Sequence, residues 1–489
     1  MRPRPTAWRT AWVVAREEWR SLLRSRVALT AVAVMLLLTL TATLVGFEHR
    51  HAIESERARF QALADQQWDA QPDRHPHRVS HYGHYVFRPL SPLAFFDFGV
   101  DTFTGHTLYL EGHRQNSANF SDAGQSSVLL RFGLLTPAFV LQTLVPLLIG
   151  FLAFGSIARE RERGQLRFSI AQGIAGRSLL LGKLLAHALI PGLLALPAFA
   201  GIAFIAFASS GSSSGGAAMS IMASAAFMLA GYTAYLLMWS CVAVGISACS
   251  SRARDALIML TGLWIGIVIL LPRMLPDLAA SRIILPSRIE TEVAIHKDLA
   301  AIGDSHNPDD PYFREFREKT LARYGVKRVE DLPVNYGGLL MAEGERMTSE
   351  LFDRYMRDNF ERQQAQSGWV NAFAPVSPVL AVRRLSAALA GSDRESYERF
   401  LADAERYRYA LIQALNRMHA EQVHYHNDKE QRISQRNWQS LPRFAPAPRP
   451  FADTLRAQVL PSLGVLAGWL AVLMLALALL GKRLERKAA

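Results

Sequence analysis

The sequence predicts an all-α polytopic membrane protein. Six transmembrane helices are expected, with the N- and C-termini cytoplasmic and a mainly helical outer domain built from two large loops. Three observations carry this. Apolar stretches recur at 27–47, 132–157, 184–209, 217–249, 256–272 and 455–481. About 20 helical residues cross a hydrocarbon core of ~30 Å, and stretches of 17–25 serve. The charges then divide by side: 1–26, 158–183, 250–255 and 482–489 carry 19 Lys/Arg against 6 Asp/Glu, while 48–131 and 273–452 carry 34 against 35. Short Lys/Arg-rich loops stay cytoplasmic during insertion, whereas long domains cross largely regardless of charge. Finally, 489 residues with 50% hydrophobic content would suggest two or three soluble domains, but here the apolar residues are clustered rather than spread.

Residues 1–26 read as a cytoplasmic amphipathic helix. Trp8, Trp12, Val13, Trp19, Leu22 and Leu23 recur at helical spacing opposite Arg9, Arg16, Arg20, Arg24 and Arg26, the pattern of a helix lying in the headgroup layer. The first span, 27–47, has no charged side chain and no small-residue cleavage site after it, which argues against a removed signal peptide. The first outer loop, 48–131, should open with a helix from Glu54 to Trp68 and then turn irregular at Pro72, Pro76, Pro89 and Pro92. Spans two and three, 132–157 and 184–209, contain Pro137, Pro146, Pro191 and Pro197, which should bend them. In the spans, Gln142, Thr143, Thr233 and Ser240 are expected to bond across helices.

Residues 211–216 (GSSSGG) form a short outer turn before the fourth span, 217–249, and the fifth follows at 256–272. The second outer loop, 273–454, is mostly helical by pattern. From Tyr397 through Phe400, Leu401, Ala404, Tyr407, Leu411, Leu415 and Met418 the apolar positions keep a 3.6-residue period. Pro442, Pro446, Pro448 and Pro450 make an extended strap into the last span, 455–481, and its tail, 482–489. Cys241 and Cys249, the only cysteines, lie in the fourth span as small packing residues and imply no disulfide framework. The basic residues hug the span ends, so a pI near 9.9 does not point to nucleic acid.

The largest cytoplasmic connection is 158–183. Arg159, Glu160, Arg161, Glu162 and Arg163 alternate in sign, Gly164 breaks the run, and Leu166, Phe168 and Ile170 supply apolar knobs. Such a segment can dock a partner, charges fixing register and apolar residues anchoring it. A solvated positive-inside loop is the alternative.

The run RERERGQL after a long apolar span resembles the ABC-2 type permeases, with Gln165 where their motif usually has Thr. The stretches HYGHYVFRPLSPLAFFDFGVD (81–101), LEGHRQN (110–116), FGLLTPAFVLQTLVPLL (132–148) and SPVLAVRRLSAALAGSD (377–393) resemble, more narrowly, a branch with large extracytoplasmic loops of unnamed function. The resemblance implies the membrane half of an ATP-driven exporter in a bacterial inner membrane, with periplasmic outer loops. It implies a cytoplasmic ABC ATPase and a second permease subunit, identical or related, as partners. It also implies that the ATPase couples through Arg159, Glu160, Arg161, Glu162, Arg163, Gly164, Leu166 and Phe168. Such a subunit is no enzyme and binds no cofactor itself; ATP acts through the partner. No phosphate-cradling loop is present, since Gly176 to Lys183 has five residues between its glycines and Leu184 after the lysine.

Histidines make a second constellation. His75, His77, His81 and His84 fall within ten residues, in HPHRVSHYGH, and His113, His424 and His426 could join only if the fold brings them near. Imidazoles are common zinc and copper ligands, yet no cysteine or HExxH supports such a site. Hydrogen-bonded surface and turn histidines, with no metal, are therefore expected. Asp97, Asp101 and Glu111 read as turn and capping residues rather than a catalytic pair. Two other readings stay open: a membrane-anchored periplasmic metal-binding or sensory protein, and, more weakly, a membrane-bound hydrolase.

Overall fold

The computed structural model describes residues 7–116, 135–210, 215–303, 305, 307, 309–447 and 450–488. Helix α1 (Ala7–Arg24) leads to α2 (Arg26–Asp69), with Ser25 between them as the N-cap of α2. A short helix α3 (Pro76–Tyr82) and an antiparallel hairpin, β1 (His84–Phe87) with β2 (Thr107–Leu110), follow. Next come α4 (Pro137–Glu162), α5 (Gln165–Ala171), α6 (Gly176–Ser210), α7 (Gly215–Cys249) and α8 (Ala253–Arg282). Helices α9 (Arg288–Ile302), α10 (Pro311–Tyr324), α11 (Tyr336–Asn371), α12 (Pro378–Ala390) and α13 (Arg394–Gln422) precede the last helix, α14 (Phe451–Arg486).

Six of these, α2, α4, α6, α7, α8 and α14, are long and apolar enough to cross a membrane. Their outward sides keep Leu37 and Leu44, Leu189 and Leu196, Ile258 and Leu475 exposed. Such a surface suits hydrocarbon, where helices satisfy their own backbone groups.

Several boundaries differ from expectation. The helix of the first span does not end at residue 47. It runs on without a break as a 44-residue helix, about 66 Å at 1.5 Å per residue, so the expected Glu54–Trp68 helix is its continuation. The helix that contains the fifth span runs from Ala253 to Arg282, beyond 256–272 at both ends. Residues 176–183 belong to α6, which shortens the connection after α4. The start of span two (132–134), most of the 211–216 turn and part of the proline strap (Pro448) lie outside the described residues.

Both ends of the bundle are pinned. At the near end, where α1 and the end of α14 lie, Gly176 N donates to Glu485 Oε1 at 2.8 Å, and Ile157 N and Ala158 N donate to Ser247 Oγ at 3.0 and 3.1 Å. At the far end the two large loops pack on each other, as where Trp68 Nε1 donates to Trp438 O at 3.2 Å.

Prolines decide how the spans meet. Turns of π-helix occupy Val140–Leu144, Ile265–Leu270 and Leu455–Val459, just before Pro146, Pro272 and Pro461. A proline lacks the N–H and crowds the carbonyl four residues back; a widened turn before it absorbs that clash. A carbonyl four or five residues before each proline is taken by a side chain. Tyr235 Oη donates to Gln142 O at 2.7 Å, Ser377 Oγ to Ile267 O at 2.8 Å, and the Arg384 guanidinium to Ala457 O at 2.6 Å. Ser377 and Arg384 belong to α12 and its N-cap, so the freed carbonyls of two spans anchor this helix of the second large loop to the bundle. Residues Val379, Val382, Leu385 and Leu389 of α12 sit in the main core with Tyr232, Tyr235 and Trp239.

Candidate functional site

Residues 158–175 are held between the near ends of the helices. Arg161 donates to Ala248 O at 2.6 Å and to Ser250 O, closing the C-terminus of α7. Glu162 Oε1 accepts from Ala253 N at 2.9 Å, at the start of α8. Glu160 pairs with Lys183, whose Nζ also lies 2.6 Å from Glu18, and Glu18 bonds His187 at 3.0 Å. Burial would raise the Glu18 carboxyl, but the His187 hydrogen bond and the Lys183 charge outweigh it and hold it at about 2. Glu18, Glu160 and Lys183 border a cleft of about 370 Å³ that Arg159, Arg163 and Gln165 help to line.

Gly164, at φ 75°, takes the left-handed turn that a side chain would resist and starts α5. Leu166 then points inward, among Ile157, Leu180 and Leu484. Arg163, Arg167 and Phe168 point outward, Phe168 at 65% exposure. The eight residues singled out from the sequence therefore divide. Arg161, Glu160, Glu162 and Leu166 tie the segment to its own bundle, and Arg159 lies over the Phe154 ring at 5.3 Å. The outward face is basic and aromatic: Arg163 and Phe168, joined by Arg167, which the sequence reading passed over.

On the near side, α1 sets Ala11 and Ala15 against the bundle and leaves Trp8, Trp12, Val13 and Leu23 exposed. Of the intramembrane polar residues, Gln142 Nε2 does reach across, to Tyr232 Oη at 2.7 Å. Ser240 instead bonds Leu236 O of its own helix, and Thr233 is exposed. Cys241 is buried, whereas Cys249, at the helix end, is exposed and does not pack inside.

A lid covers the far end of the bundle. Residues 91–101 turn back so that Leu93, Phe95 and Phe96 are buried in the main core, and Phe96 O accepts from Ala138 N at 3.0 Å. Beside them, Ser386 of α12 accepts from Tyr232 Oη at 2.9 Å. The two pieces are stitched together: Ser392 Oγ donates to Asp97 O at 2.7 Å and Val100 N to Ser392 O at 2.9 Å. Asp97 and Asp101 serve this lid. Asp97 Oδ1 accepts from Gly99 N at 3.0 Å, and Asp101 pairs with Arg88 at 2.7 Å. Burial pushes the Asp101 carboxyl up to about 6 against the pull of Arg88. Glu111 accepts from Asn116 at 3.0 Å.

The four clustered histidines do not form one group. His84 turns to Asp65 at 3.2 Å. His75 joins His419 and Asp428, while His77 and His81 meet His113. Burial, then the neighbouring histidines, pushes His77 down to about 3, so its imidazole is neutral at pH 7.

The model of the ABC-2 family transporter proteins matches residues 12–312, more than half of the chain. The chain belongs to that family. A second model, a domain of unknown function (DUF3526), matches 288–447 and so covers α9 to α13. A comparison with curated proteins found no match. The protein is thus a multi-pass membrane permease component of an ABC transporter, of a kind that lacks an ATPase site and usually works with a cytoplasmic ATPase. The Gly176–Lys183 stretch, which resembles a phosphate loop only superficially, is the first turns of α6 in this permease.

Proposed function

We propose that this permease is the membrane half of an ATP-driven exporter in a bacterial inner membrane, with its near end cytoplasmic and its far end periplasmic. It works as a dimer with an identical or related subunit, beside two copies of a separate ATPase. The observation that carries this reading is the outward face of 163–168. Phe168 and two arginines project from a segment whose other charges are all spent on holding it to the ends of α4, α6, α7 and α8. A rigidly seated basic and aromatic knob is the form a docking anchor takes. Movement of the ATPase against it would reach four helices at once, because Arg161, Glu162 and Glu160 bond to three neighbouring helix ends. At the far end the lid of 91–101 and α12 would gate release. The amphipathic α1 would lie in the cytoplasmic headgroup layer with Trp8 and Trp12 toward lipid.

Affinity purification of the tagged permease from bacterial membranes in mild detergent tests this. An ABC ATPase in stoichiometric amount is expected. Recovery of the permease alone, under conditions that keep it folded and monodisperse, would count against the transporter assembly.

A further inference from the structure

Helix α3 places His77 and His81 one turn apart, with Nε2 to Nε2 at 3.2 Å. Two nitrogens bound 2.0–2.1 Å from a tetrahedral zinc ion stand about 3.3 Å from each other. His113 completes a trio in which one donor atom from each residue lies within 4.8 Å of the others. Among the described residues His113 is the one non-glycine with positive φ, at 62°, a conformation that costs about 1 kcal/mol or more and needs external support.

That support is Glu345. Its Oε2 accepts from His113 N at 2.8 Å and lies 3.2 Å from His113 Nδ1. A carboxylate on one ring nitrogen orients the other toward a metal and raises its basicity, the usual outer partner of a metal-bound histidine. Glu345 is fully buried and is itself fixed by Arg408 at 2.5 Å and Ser349 at 3.0 Å. The loop bearing His113 is in turn tied to α3, where Gly112 N donates to Ser80 O at 3.0 Å.

We infer that His77, His81 and His113 form a binding site for one transition-metal dication, zinc above all, with Glu345 as the residue that orients His113. Three imidazole ligands without a coordinating carboxylate favour zinc or copper over magnesium or calcium. Three protein ligands are the number zinc takes when water or another small ligand is the fourth. The metal would clamp α3 to the segment after β2 within the first large loop, and Glu345 would tie that segment to α11 of the second. The companion group is different: Asp428 Oδ1 already accepts from His419 and Asn335, both at 2.6 Å, and is satisfied without an ion. This inference does not rest on the transport reading.

The test uses the full chain in detergent, stripped with EDTA, dialysed and titrated with ZnCl2, CuCl2 or MgCl2, with bound metal read by mass spectrometry. One zinc or copper per chain and no magnesium is expected, and cobalt substitution should give the absorption of tetrahedral Co(II). His81→Ala, at an exposed position, and His113→Asn should each weaken zinc binding tenfold or more. Glu345→Gln should weaken it 10- to 100-fold, the range for loss of an outer partner, while His419→Gln should leave it unchanged. Absence of zinc and copper from the wild-type chain overturns the site. Unchanged binding in His81→Ala, or loss in His419→Gln alone, also overturns it.

Discussion

Lys183 lies two turns into α6, bonded to Glu18 and Glu160, and so joins the N-terminal helix to the end of α4. Glu18 gains most from this arrangement. Its carboxyl falls from an ordinary 4.5 to about 2, worth about 3 kcal/mol at ~1.4 kcal/mol per pH unit. Because the folded value is depressed, the contribution is fully present above about pH 4.5 and is lost as pH falls from there through 2. Glu18→Gln should therefore lower the Tm of the detergent-solubilised permease at pH 7, and the gap from wild type should narrow between pH 5 and 3. A gap independent of pH would show that Glu18 acts by shape and not by charge. Nothing in the sequence announces this trio, since 165 residues separate Glu18 from Lys183. The alternating charges at 159–163 were visible, but their partners were not. Glu160 and Glu162 look like docking charges until the folded chain shows them bonded to Lys183 and Ala253.

Helix α12 is the element whose role depends most on its neighbours. Thirteen residues are too few to span a bilayer, and an apolar stretch of that length reads equally as a buried or an interfacial helix. Its placement follows from prolines in other helices, which free the carbonyls that Ser377 and Arg384 fill. The lid segment beside it depends on a glycine in the same way: a Cβ at Gly46 of α2 would stand 2.3 Å from Phe95 O. Gly46→Ala should force the 93–96 turn away from α2. A cost of about 1–3 kcal/mol is expected, the range for overpacking, whereas Gly262→Ala, with open space around it, should be neutral or slightly stabilising. Equal Tm values for both variants would mean that the lid does not rest on α2. Spans are legible because length and apolarity are local properties. The continuity of α2, the far-end lid and the division of the four histidines are not, because they depend on tertiary contacts, from Asp65 with His84 to His75 with His419.

For the whole molecule, the proposed sidedness rests on the charge difference between the two ends. After replacement of Cys241 and Cys249, a single cysteine at Asp309 should react with a membrane-impermeant thiol reagent in spheroplasts, and one at Arg163 should not. Labelling at Arg163 in intact spheroplasts would invert the proposed topology. In the proposed mechanism, a push at 163–168 reaches the far lid through α4, α6 and α7. The most direct test of that coupling is the double variant Phe168→Ser with Arg167→Glu, assayed in the purified complex. Both side chains are exposed, so folding should be unaffected. Loss of the aromatic anchor and reversal of a contact charge can each cost several kcal/mol at an interface, with about 1.4 kcal/mol giving a tenfold weaker association. The expected result is at least tenfold less ATPase retained on the permease, and loss of transport-linked ATP hydrolysis, at unchanged Tm. A normal ATPase complement and full activity in that variant would contradict coupling through this face.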